Sequence, residues 1–482
     1  MLPLNRSDLL IEDAYLDGDW YQTENRFAVT NPSTHETLAN VSDCTVADVD
    51  AAIVAAGHAQ VNWAARTGKE RAAILRRWYE LMVAHADDLA TILTAEMGKP
   101  LAEAKGEIIY GASFIEWFSE EAKRIYGDTI PGHQRDKRIL VLKQPVGVVG
   151  AITPWNFPNA MITRKAAPAL AAGCAMVVRP ASETPLSALA MAKLGEEAGI
   201  PAGVLSVLPS TDSVGVGKAF CAHPLMRKIS FTGSTRVGKI LMQQGAEQLK
   251  KLSLELGGNA PFIVFDDADL EAAIEGAILS KFRNAGQTCV CTNRIYVQDG
   301  LYDAFVEKLT TAVAALPVGD GFAEGTAIGP LISENAVAKV RQHIADATAK
   351  GATVTLGGAD HALGGTYFQP TVISGITQDM AVAREETFGP LAPVFRFSTA
   401  EEVLSMANDT EFGLASYVYT QKLSQVWQMM EGLEYGMVGV NTGLISTEVA
   451  PFGGVKESGS GREGSKYGIE DYLELKYCCL SV

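Results

Sequence analysis

The chain has 482 residues, of which 47% are hydrophobic and 20% charged, and its formal net charge is −16. It is too long for a single hydrophobic core, so about two to four domains are expected in an otherwise ordinary globular protein. The acidic balance argues against nucleic acid and anionic membrane surfaces as partners, because both would repel it.

The sequence indicates neither a targeting segment nor a disulfide framework. Residues 1–8 lack a basic stretch followed by an apolar core, and no apolar run reaches the roughly 18 residues of a membrane span. The 7 cysteines, an odd number, are scattered along the chain without zinc-site spacing, which favours reduced thiols. We therefore expect a cytoplasmic protein that binds no metal.

The first part of the chain changes character twice. Residues 14–45 mix short apolar runs with turn residues and predict a few strands, whereas residues 46–124 place apolar side chains three and four apart and predict at least three helices. Between residues 126 and 145, the run Ile139 to Leu142 is typical of a strand.

A regular alternation of strands and helices follows. Strand-like runs near residues 147, 175, 204, 228 and 251 are separated by helix-like runs, and the pattern resumes from 261 to 441. Such an alternation predicts βαβ units with parallel sheets, so we expect two α/β domains of a nucleotide-binding type. The tail, residues 471–482, alternates like an edge strand that, with residues 139–142, would pair with a neighbouring subunit in a homodimer or homotetramer.

One cysteine lies where a nucleophile is well placed. Residues 281–294 follow a predicted helix and precede a β-branched run, so Cys289 is expected on a turn, partly exposed and held by a rigid scaffold. The alternative is a buried, inert cysteine, which is the commonest state of this residue type.

A glycine-bearing turn near Gly233 indicates phosphate binding. Residues 231–238 run from a strand into a helix, and the free N–H groups and helix dipole at such a turn suit a phosphate. The spacing to Lys239 resembles a P-loop, but Ile240 lacks the hydroxyl that binds magnesium. A turn without any ligand remains the alternative.

Taken together, five motifs resemble the aldehyde dehydrogenase superfamily. They are Pro154-Trp-Asn-Phe-Pro158, Phe231-Thr-Gly-Ser234, Leu254-Glu-Leu-Gly-Gly258, Gly286-Gln-Thr-Cys289 and Glu386-Thr-Phe-Gly-Pro390. Within the superfamily, residues 160–165, 281–291 and 461–468 are most similar to bacterial succinate-semialdehyde dehydrogenases. The resemblance implies a coenzyme-binding domain (1–125 and 146–256), a catalytic domain (257–457) and an oligomerisation element (126–145 and 458–482).

The resemblance also implies three catalytic roles. Cys289 would attack the aldehyde, Glu255 would activate water, and the Asn156 side chain with the Cys289 backbone N–H would hold the oxyanion. Read alone, Glu255 is a solvated carboxylate at a strand end, and Asn156 is a turn residue between prolines.

Coenzyme contacts follow from the same resemblance. The corresponding residues are Trp155, Arg179, Ser182, Gly233, Ser234, Glu386 and Phe388. Arg179 stands where most relatives have lysine, and Ser182 stands where NAD-selective relatives often carry a glutamate that would repel a 2′-phosphate. We therefore expect NADP to be preferred, with NAD possible, although Glu183 lies next to Ser182.

For the substrate, the resemblance implies a small anionic aldehyde, succinate semialdehyde. Arg164 and Arg283 would hold its distal carboxylate, with Ser446 as a third contact; the alternative is that each arginine pairs with a carboxylate of the protein. Glutarate semialdehyde is the near competitor, because one methylene discriminates by only about 1–3 kcal/mol. Cys291 would be either a redox partner of Cys289 or a small apolar filler.

Three other functions are weighed against this one. A CoA-acylating member of the superfamily is disfavoured by the presence of Glu255. A cysteine hydrolase would need a histidine beside Cys289, and none of the 7 histidines has an evident role. An inactive structural member would not need Cys289, Glu255 and Asn156 together.

Overall fold

The computed structural model describes residues 2–482. Its first part contains the predicted strands and four long helices, of which α1 and α2 begin with capping boxes at Thr45 and Thr67. The elements are β1 (Ala14–Leu16), β2 (Asp19–Tyr21), β3 (Arg26–Thr30), β4 (Thr37–Ser42), α1 (Val46–Ala65), α2 (Gly68–Ala84), α3 (Ala86–Met97), α4 (Leu101–Glu121), β5 (Asp128–Ile130) and β6 (Lys137–Pro145).

The alternating section forms the first parallel sheet, as predicted. Its elements are β7 (Val148–Ile152), α5 (Ala160–Ala172), β8 (Ala175–Arg179), α6 (Pro185–Ala198), β9 (Leu205–Val207), α7 (Ser213–Ala222), β10 (Met226–Thr232), α8 (Thr235–Gly245) and β11 (Lys251–Glu255). The parallel strands run in the order β11-β10-β7-β8-β9, and β1 and β2 extend the sheet beyond β9. Every residue of β7 and β8 is buried, as expected when helices cover both faces.

A second sheet follows. Its elements are β12 (Ala260–Val264), α9 (Leu270–Phe282), β13 (Thr292–Gln298), α10 (Tyr302–Ala314), α11 (Glu334–Ala349), β14 (Thr353–Leu356), β15 (Thr371–Ile376), α12 (Ala381–Arg384), β16 (Leu391–Phe397), α13 (Ala400–Asn408), β17 (Ala415–Tyr419), α14 (Leu423–Gly432) and β18 (Met437–Val440). The strand order is β14-β15-β16-β13-β12-β17-β18, and only β14 is antiparallel to its neighbour. The expectation of two α/β units is confirmed.

The C-terminal segment divides between two sheets. Its elements are β19 (Gly459–Ser460), α15 (Ser465–Gly468) and β20 (Leu473–Ser481). β19 pairs with β11 and so belongs to the first sheet, although we assigned residues 458–482 to an oligomerisation element. β20 is an edge strand, as predicted, but its partner is β6 of the same chain, because the two strands match in length over residues 473–481 and 137–145.

Three of the five motifs lie at the ends of strands of the first sheet. Residues 153–159 follow β7, Gly233 follows β10, and Glu255 ends β11, so all three lie at the carboxyl ends of neighbouring parallel strands. In open α/β sheets this edge is where ligands bind. Within residues 2–482, no helix is long and apolar enough to cross a membrane.

Candidate active site

Cys289 lies on the connection between α9 and β13, as predicted. A short turn, Arg283–Gly286, ends the helix, and two of its residues, Asn284 and Ala285, have left-handed φ angles of 52° and 53°. The thiol is half-buried and lines a cavity of about 250 Å³. Because a Cβ at Gly258 would collide with the carbonyl oxygen of Cys289, only glycine lets the 254–258 motif approach the cysteine.

Burial and the charged groups around Cys289 shift the pKa of its thiol. Burial is the largest cause that raises the pKa of the Cys289 thiol, and the carboxylates of Glu255 and Glu386 also raise it, whereas the guanidinium groups of Arg164 and Arg283 lower it; the net pKa is about 12. The resting thiol is therefore protonated near neutral pH, and the two arginines stabilise the thiolate when it forms.

Asn156 meets Cys289 in the same cavity. It lies between β7 and α5 and is 3% exposed. Its Nδ2 donates one hydrogen bond to the carbonyl of Gln287 at 3.0 Å. An amide carries two N–H groups, and no acceptor within residues 2–482 takes the second, which leaves it for an oxyanion.

Glu255 is buried, which excludes the solvated alternative. It is 4% exposed, and its Oε2 has no hydrogen-bond partner among residues 2–482. Burial raises its pKa well above the ordinary range; the nearby carboxylate of Glu463 adds to this effect, and Arg164 and Lys165 oppose it. A carboxyl group with a raised pKa is a suitable general base near neutral pH.

Arg164 and Lys165 share the carboxylate of Glu463, a residue that sequence reasoning missed. Arg164 Nη2 lies 2.7 Å from Glu463 Oε2, and Lys165 Nζ bonds both Glu463 Oε1 and, at 2.7 Å, Thr232 Oγ1. The Arg164 guanidinium also stacks over the ring of Phe452 at 3.9 Å. Arg164 therefore pairs with a carboxylate of the protein, which is the alternative to its predicted contact with the substrate. Its Nε is without a partner within residues 2–482.

Arg283 and Ser446, by contrast, line one cavity of about 250 Å³, and their contact with a substrate stays a prediction. Arg283 lies over the ring of Phe157 at 5.4 Å and, unlike Arg164, forms no salt bridge within residues 2–482. The buried Lys99 and Glu107 and the partly buried Glu103 and Tyr110 line the same cavity. Sequence reasoning missed these four residues, because nothing in a local sequence pattern marks which polar side chains face a cavity.

Three of the residues predicted to contact a coenzyme, Trp155, Glu386 and Phe388, come together at the cysteine. Trp155 and Phe388 meet edge to face at 5.6 Å, and Glu386 accepts a hydrogen bond from the backbone N–H of Gly258 at 3.2 Å. Burial raises the pKa of Glu386 to about 7. These three side chains and Gly233 line the cavity that contains Cys289.

Another cavity, of about 450 Å³, adjoins the cavity of Cys289 and shares Trp155, Thr232 and Gly233 with it. We call it the second cavity. Ser234 caps the N-terminus of α8 at this point, accepting from Val237 N at 3.4 Å, so the phosphate turn opens on the cavity. The residues that line it therefore fit an elongated, phosphate-bearing coenzyme.

Arg179 and Ser182 also line this second cavity. Arg179 Nη2 donates to the carbonyl of Ser210 at 2.7 Å, and Ser182 Oγ donates to Glu183 Oε2 at 3.2 Å. Arg236 is an exposed cation on the same wall that sequence reasoning missed. Arg236 could have been inferred from the sequence, because it lies in the first helical turn after Gly233.

The two remaining expectations concern Cys291 and metals. Cys291 is buried behind the site, with its thiol donating to the carbonyl of Lys281 at 3.3 Å, and its redox pairing with Cys289 stays a prediction. Across residues 2–482, no group of three or more His, Cys, Asp or Glu side chains is placed to hold a metal ion.

Comparisons with known proteins agree with this site. A family model described as "Aldehyde dehydrogenase family" matches residues 20–478. The chain is 62% identical over 482 residues to a glutarate-semialdehyde dehydrogenase of Pseudomonas aeruginosa, covering 99% of both chains. It is 61% identical over 484 residues to the succinate-semialdehyde dehydrogenase [NADP(+)] of Escherichia coli, covering 100% of both.

A solved structure gives the same result for the fold. The crystal structure of succinate-semialdehyde dehydrogenase from Burkholderia pseudomallei superposes with a TM-score of 0.99 at 60% identity, covering 100% of both chains. The fold and the family inferred from the five motifs are confirmed, and the chain belongs to the aldehyde dehydrogenase family.

Proposed function

We propose that this chain oxidises succinate semialdehyde to succinate with reduction of a nicotinamide coenzyme. The observation that carries the proposal is the position of Arg283. Its guanidinium group forms no salt bridge among residues 2–482 and lines a cavity with Ser446. It also lies near enough to Cys289 to lower the pKa of the thiol. A planar guanidinium matches a carboxylate in geometry and charge. An aldehyde with a carboxylate at its far end would be anchored there while its carbonyl reaches Cys289.

Acyl transfer begins at Cys289. The thiol releases its proton to solvent water, its sulfur attacks the carbonyl carbon as the carbon–oxygen π bond breaks, and the oxygen gains the negative charge beside the free N–H of Asn156 and the backbone N–H of Cys289. One such donor contributes about 3 kcal/mol to the transition state. Trp155, Glu386 and Phe388 would hold a nicotinamide coenzyme beside Cys289, and the coenzyme would supply the hydride acceptor that oxidation of the aldehyde carbon requires.

Hydrolysis of the thioester is the role of Glu255. Its carboxylate accepts a proton from water as the water oxygen attacks the acyl carbon, and the carbon–sulfur bond breaks to release the acid and the Cys289 thiolate. Burial keeps the Glu255 pKa high, so the carboxylate is a stronger base than an exposed one. Glu463 and Lys165, which lie next to it, keep the local charge balanced.

NADP is the preferred coenzyme in this proposal. Arg179 and Arg236 put two guanidinium groups on the wall of the second cavity, and Ser182 offers a hydroxyl where a carboxylate would repel a 2′-phosphate. Glu183 opposes this preference, since its carboxylate bonds Ser182 and lines the same cavity. We therefore expect NADP to be favoured over NAD without NAD being excluded.

Glutarate semialdehyde is the second candidate substrate. A relative that is 62% identical to this chain over 482 residues is a glutarate-semialdehyde dehydrogenase. We therefore expect this chain to accommodate a substrate with one more methylene. A cavity of about 250 Å³ around Arg283 discriminates weakly between the two lengths, because a methylene is worth only about 1–3 kcal/mol.

Self-association is also proposed. β20 leaves one edge of its three-stranded sheet without a partner strand within residues 2–482, and it exposes apolar side chains there. An open edge of that kind favours pairing between chains, so we propose a homo-oligomer.

The experiment that tests the function compares kcat/KM for succinate semialdehyde, glutarate semialdehyde and propanal with NADP and with NAD, in reducing buffer. We expect the two semialdehydes to exceed propanal, and NADP to exceed NAD. An equal kcat/KM for propanal would contradict the proposal of an anionic substrate. A higher kcat/KM with NAD than with NADP would contradict the proposed coenzyme preference.

Arg283→Ala gives the residue-level test. We expect KM for succinate semialdehyde to rise roughly 10-fold or more, because a charge-assisted hydrogen bond contributes about 1.5–3 kcal/mol, while KM for propanal stays unchanged. Arg341→Ala is the matched control, since Arg341 pairs with Asp360 on the surface at 2.6 Å. An equal rise in KM for both aldehydes in Arg283→Ala would contradict the carboxylate anchor.

A further inference from the structure

Asn284 is a buried residue of the turn before Cys289 and has no role in the mechanism above. It is 1% exposed and adopts a left-handed conformation, with φ 52° and ψ 37°. Among residues with a side chain, asparagine enters this region most readily. The backbone alone therefore explains why asparagine is tolerated here, but it does not explain what the buried amide does.

The amide of Asn284 joins the two loops that form the oxyanion site. Its Nδ2 donates to the carbonyl of Asn156 at 3.1 Å and to the carbonyl of Gln287 at 3.1 Å. The carbonyl of Gln287 is the group that also accepts from Asn156 Nδ2, at 3.0 Å. Both partners of Asn284 are acceptors, which sets the orientation of its amide, and both of its N–H groups are used.

Charged groups fix the same hydrogen-bond network to helix α4 and to Lys99 in the loop before that helix. Asn284 N donates to Glu103 Oε2 at 2.8 Å, and Lys99 Nζ donates to the carbonyl of Asn156 at 2.8 Å. Asn284 also closes its own turn, since its carbonyl accepts from Gln287 N at 2.9 Å. The Asn156 carbonyl therefore receives two donors, one from each side of the site.

We propose that Asn284 is a positioning residue that sets the direction of the oxyanion donors. The two donors belong to different loops: the Asn156 amide follows β7 of the first sheet, and the Cys289 N–H precedes β13 of the second. One N–H of the Asn156 amide is bonded to the carbonyl of Gln287, so the other points in a fixed direction. Asn284 bonds the backbone carbonyls of both Asn156 and Gln287 and so holds the two residues in place. A displacement of about 1 Å in such a site lowers the rate roughly 100-fold.

The test separates the amide from the backbone conformation. Asn284→Gly removes the amide but keeps the left-handed conformation available, since glycine adopts positive φ freely. We expect kcat/KM in Asn284→Gly to fall roughly 10- to 100-fold, by the same factor for succinate semialdehyde and for propanal. Asn284→Asp, which is isosteric but has no N–H, is expected to lose at least as much.

Two further measurements distinguish positioning from general damage. The rate of Cys289 alkylation by iodoacetamide and the dissociation constant for NADP are expected to stay within about twofold of the wild-type values, because neither uses the oxyanion donors. Asn408→Gly is the matched control: its amide also ties two segments, donating to Gly432 O at 2.8 Å, but lies away from the catalytic residues, and kcat/KM should not change.

Two results would overturn the inference. One is wild-type kcat/KM in Asn284→Gly, which would leave only a backbone role. The other is a parallel loss of alkylation rate, NADP affinity and kcat/KM, which would mean that the site has collapsed. The inference rests on the proposed roles of Asn156 and Cys289 but not on the substrate, so a wild-type enzyme that fails to prefer semialdehydes would refute the proposed function and leave this test intact.

Discussion

Glu255 illustrates at the residue scale how burial raises the pKa of a carboxyl group. Four other charged side chains lie close enough to affect its pKa: Glu463, Arg164, Lys165 and Arg462. Burial and Glu463 disfavour the ionised form, while the three cations favour it. Both Glu255 and Cys289 have raised pKa values and act after losing a proton, so we expect activity to increase with pH and to be lost as the pH falls.

Replacing Glu255 by glutamine should separate the two half-reactions. Hydride transfer precedes hydrolysis, so Glu255→Gln should still reduce about one equivalent of coenzyme per site in a burst, with a steady-state rate at least 100-fold lower. Stopped-flow absorbance measures both phases.

The control for this variant is Glu247→Gln, an exposed carboxylate on the turn after α8, which should behave like the wild type. A lost burst in Glu255→Gln would show that the residue is needed for acylation and would contradict its assignment to water activation alone.

At the scale of elements, helix α4 and Lys99 in the loop before it connect the cavity lined by Arg283 to the loop of Asn156. The buried pair Lys99–Glu107 has an N–O distance of 2.6 Å, and Glu107 Oε1 also accepts from Asn159 N and Ala160 N at the start of α5, at 3.0 and 3.2 Å. These N–H groups would otherwise be unsatisfied at a helix N-terminus. The pair therefore stabilises both the helix start and the loop in front of it.

Lys99→Met should destabilise the protein strongly. The substitution leaves Glu107 buried without its cation, and breaking a buried pair costs about 3–5 kcal/mol. Lys105→Met, on the same segment, breaks the exposed pair with Asp87 and should change stability by no more than about 0.5 kcal/mol. Thermal unfolding of the two variants side by side measures the difference. Equal melting temperatures would show that the buried pair contributes little.

At the scale of the whole molecule, the edge strand β20 governs the proposed association. Leu475 and Tyr477 are 70% and 61% exposed and lie on the same face of the strand, two residues apart. Exposed apolar side chains on an open edge are typical of an interface.

The double variant Leu475→Lys with Tyr477→Lys should reduce the molar mass measured by light scattering during size-exclusion chromatography, because two charges would be buried at the interface. Leu423→Lys, which places a charge on a 71% exposed leucine of α14, is the control and should leave the mass unchanged. An unchanged mass in the double variant would place the interface elsewhere.

Much of this protein could be predicted before its structure was known. The alternation of strands and helices predicted the two parallel sheets, since a buried parallel strand is a continuous apolar run whatever surrounds it. The five motifs predicted the family and assembled Cys289, Asn156, Glu386 and Phe388 around one cavity. Each of those residues lies within three positions of a glycine or proline, where local sequence restricts the backbone.

The amino-acid sequence by itself determined the periodicity of the elements, the turn that exposes Cys289 and the motif order that marks an aldehyde dehydrogenase, because these depend on residues close together in the chain. The tertiary structure decided which distant groups meet: Glu463 beside Arg164 and Lys165, Asn284 between Asn156 and Gln287, β19 against β11, and β20 against β6. Pairings of this kind join residues up to 346 positions apart, as in Val482 N with the carbonyl of Asp136. Their energies depend on burial and on which partner fills each hydrogen bond, and neither quantity exists until the chain has folded.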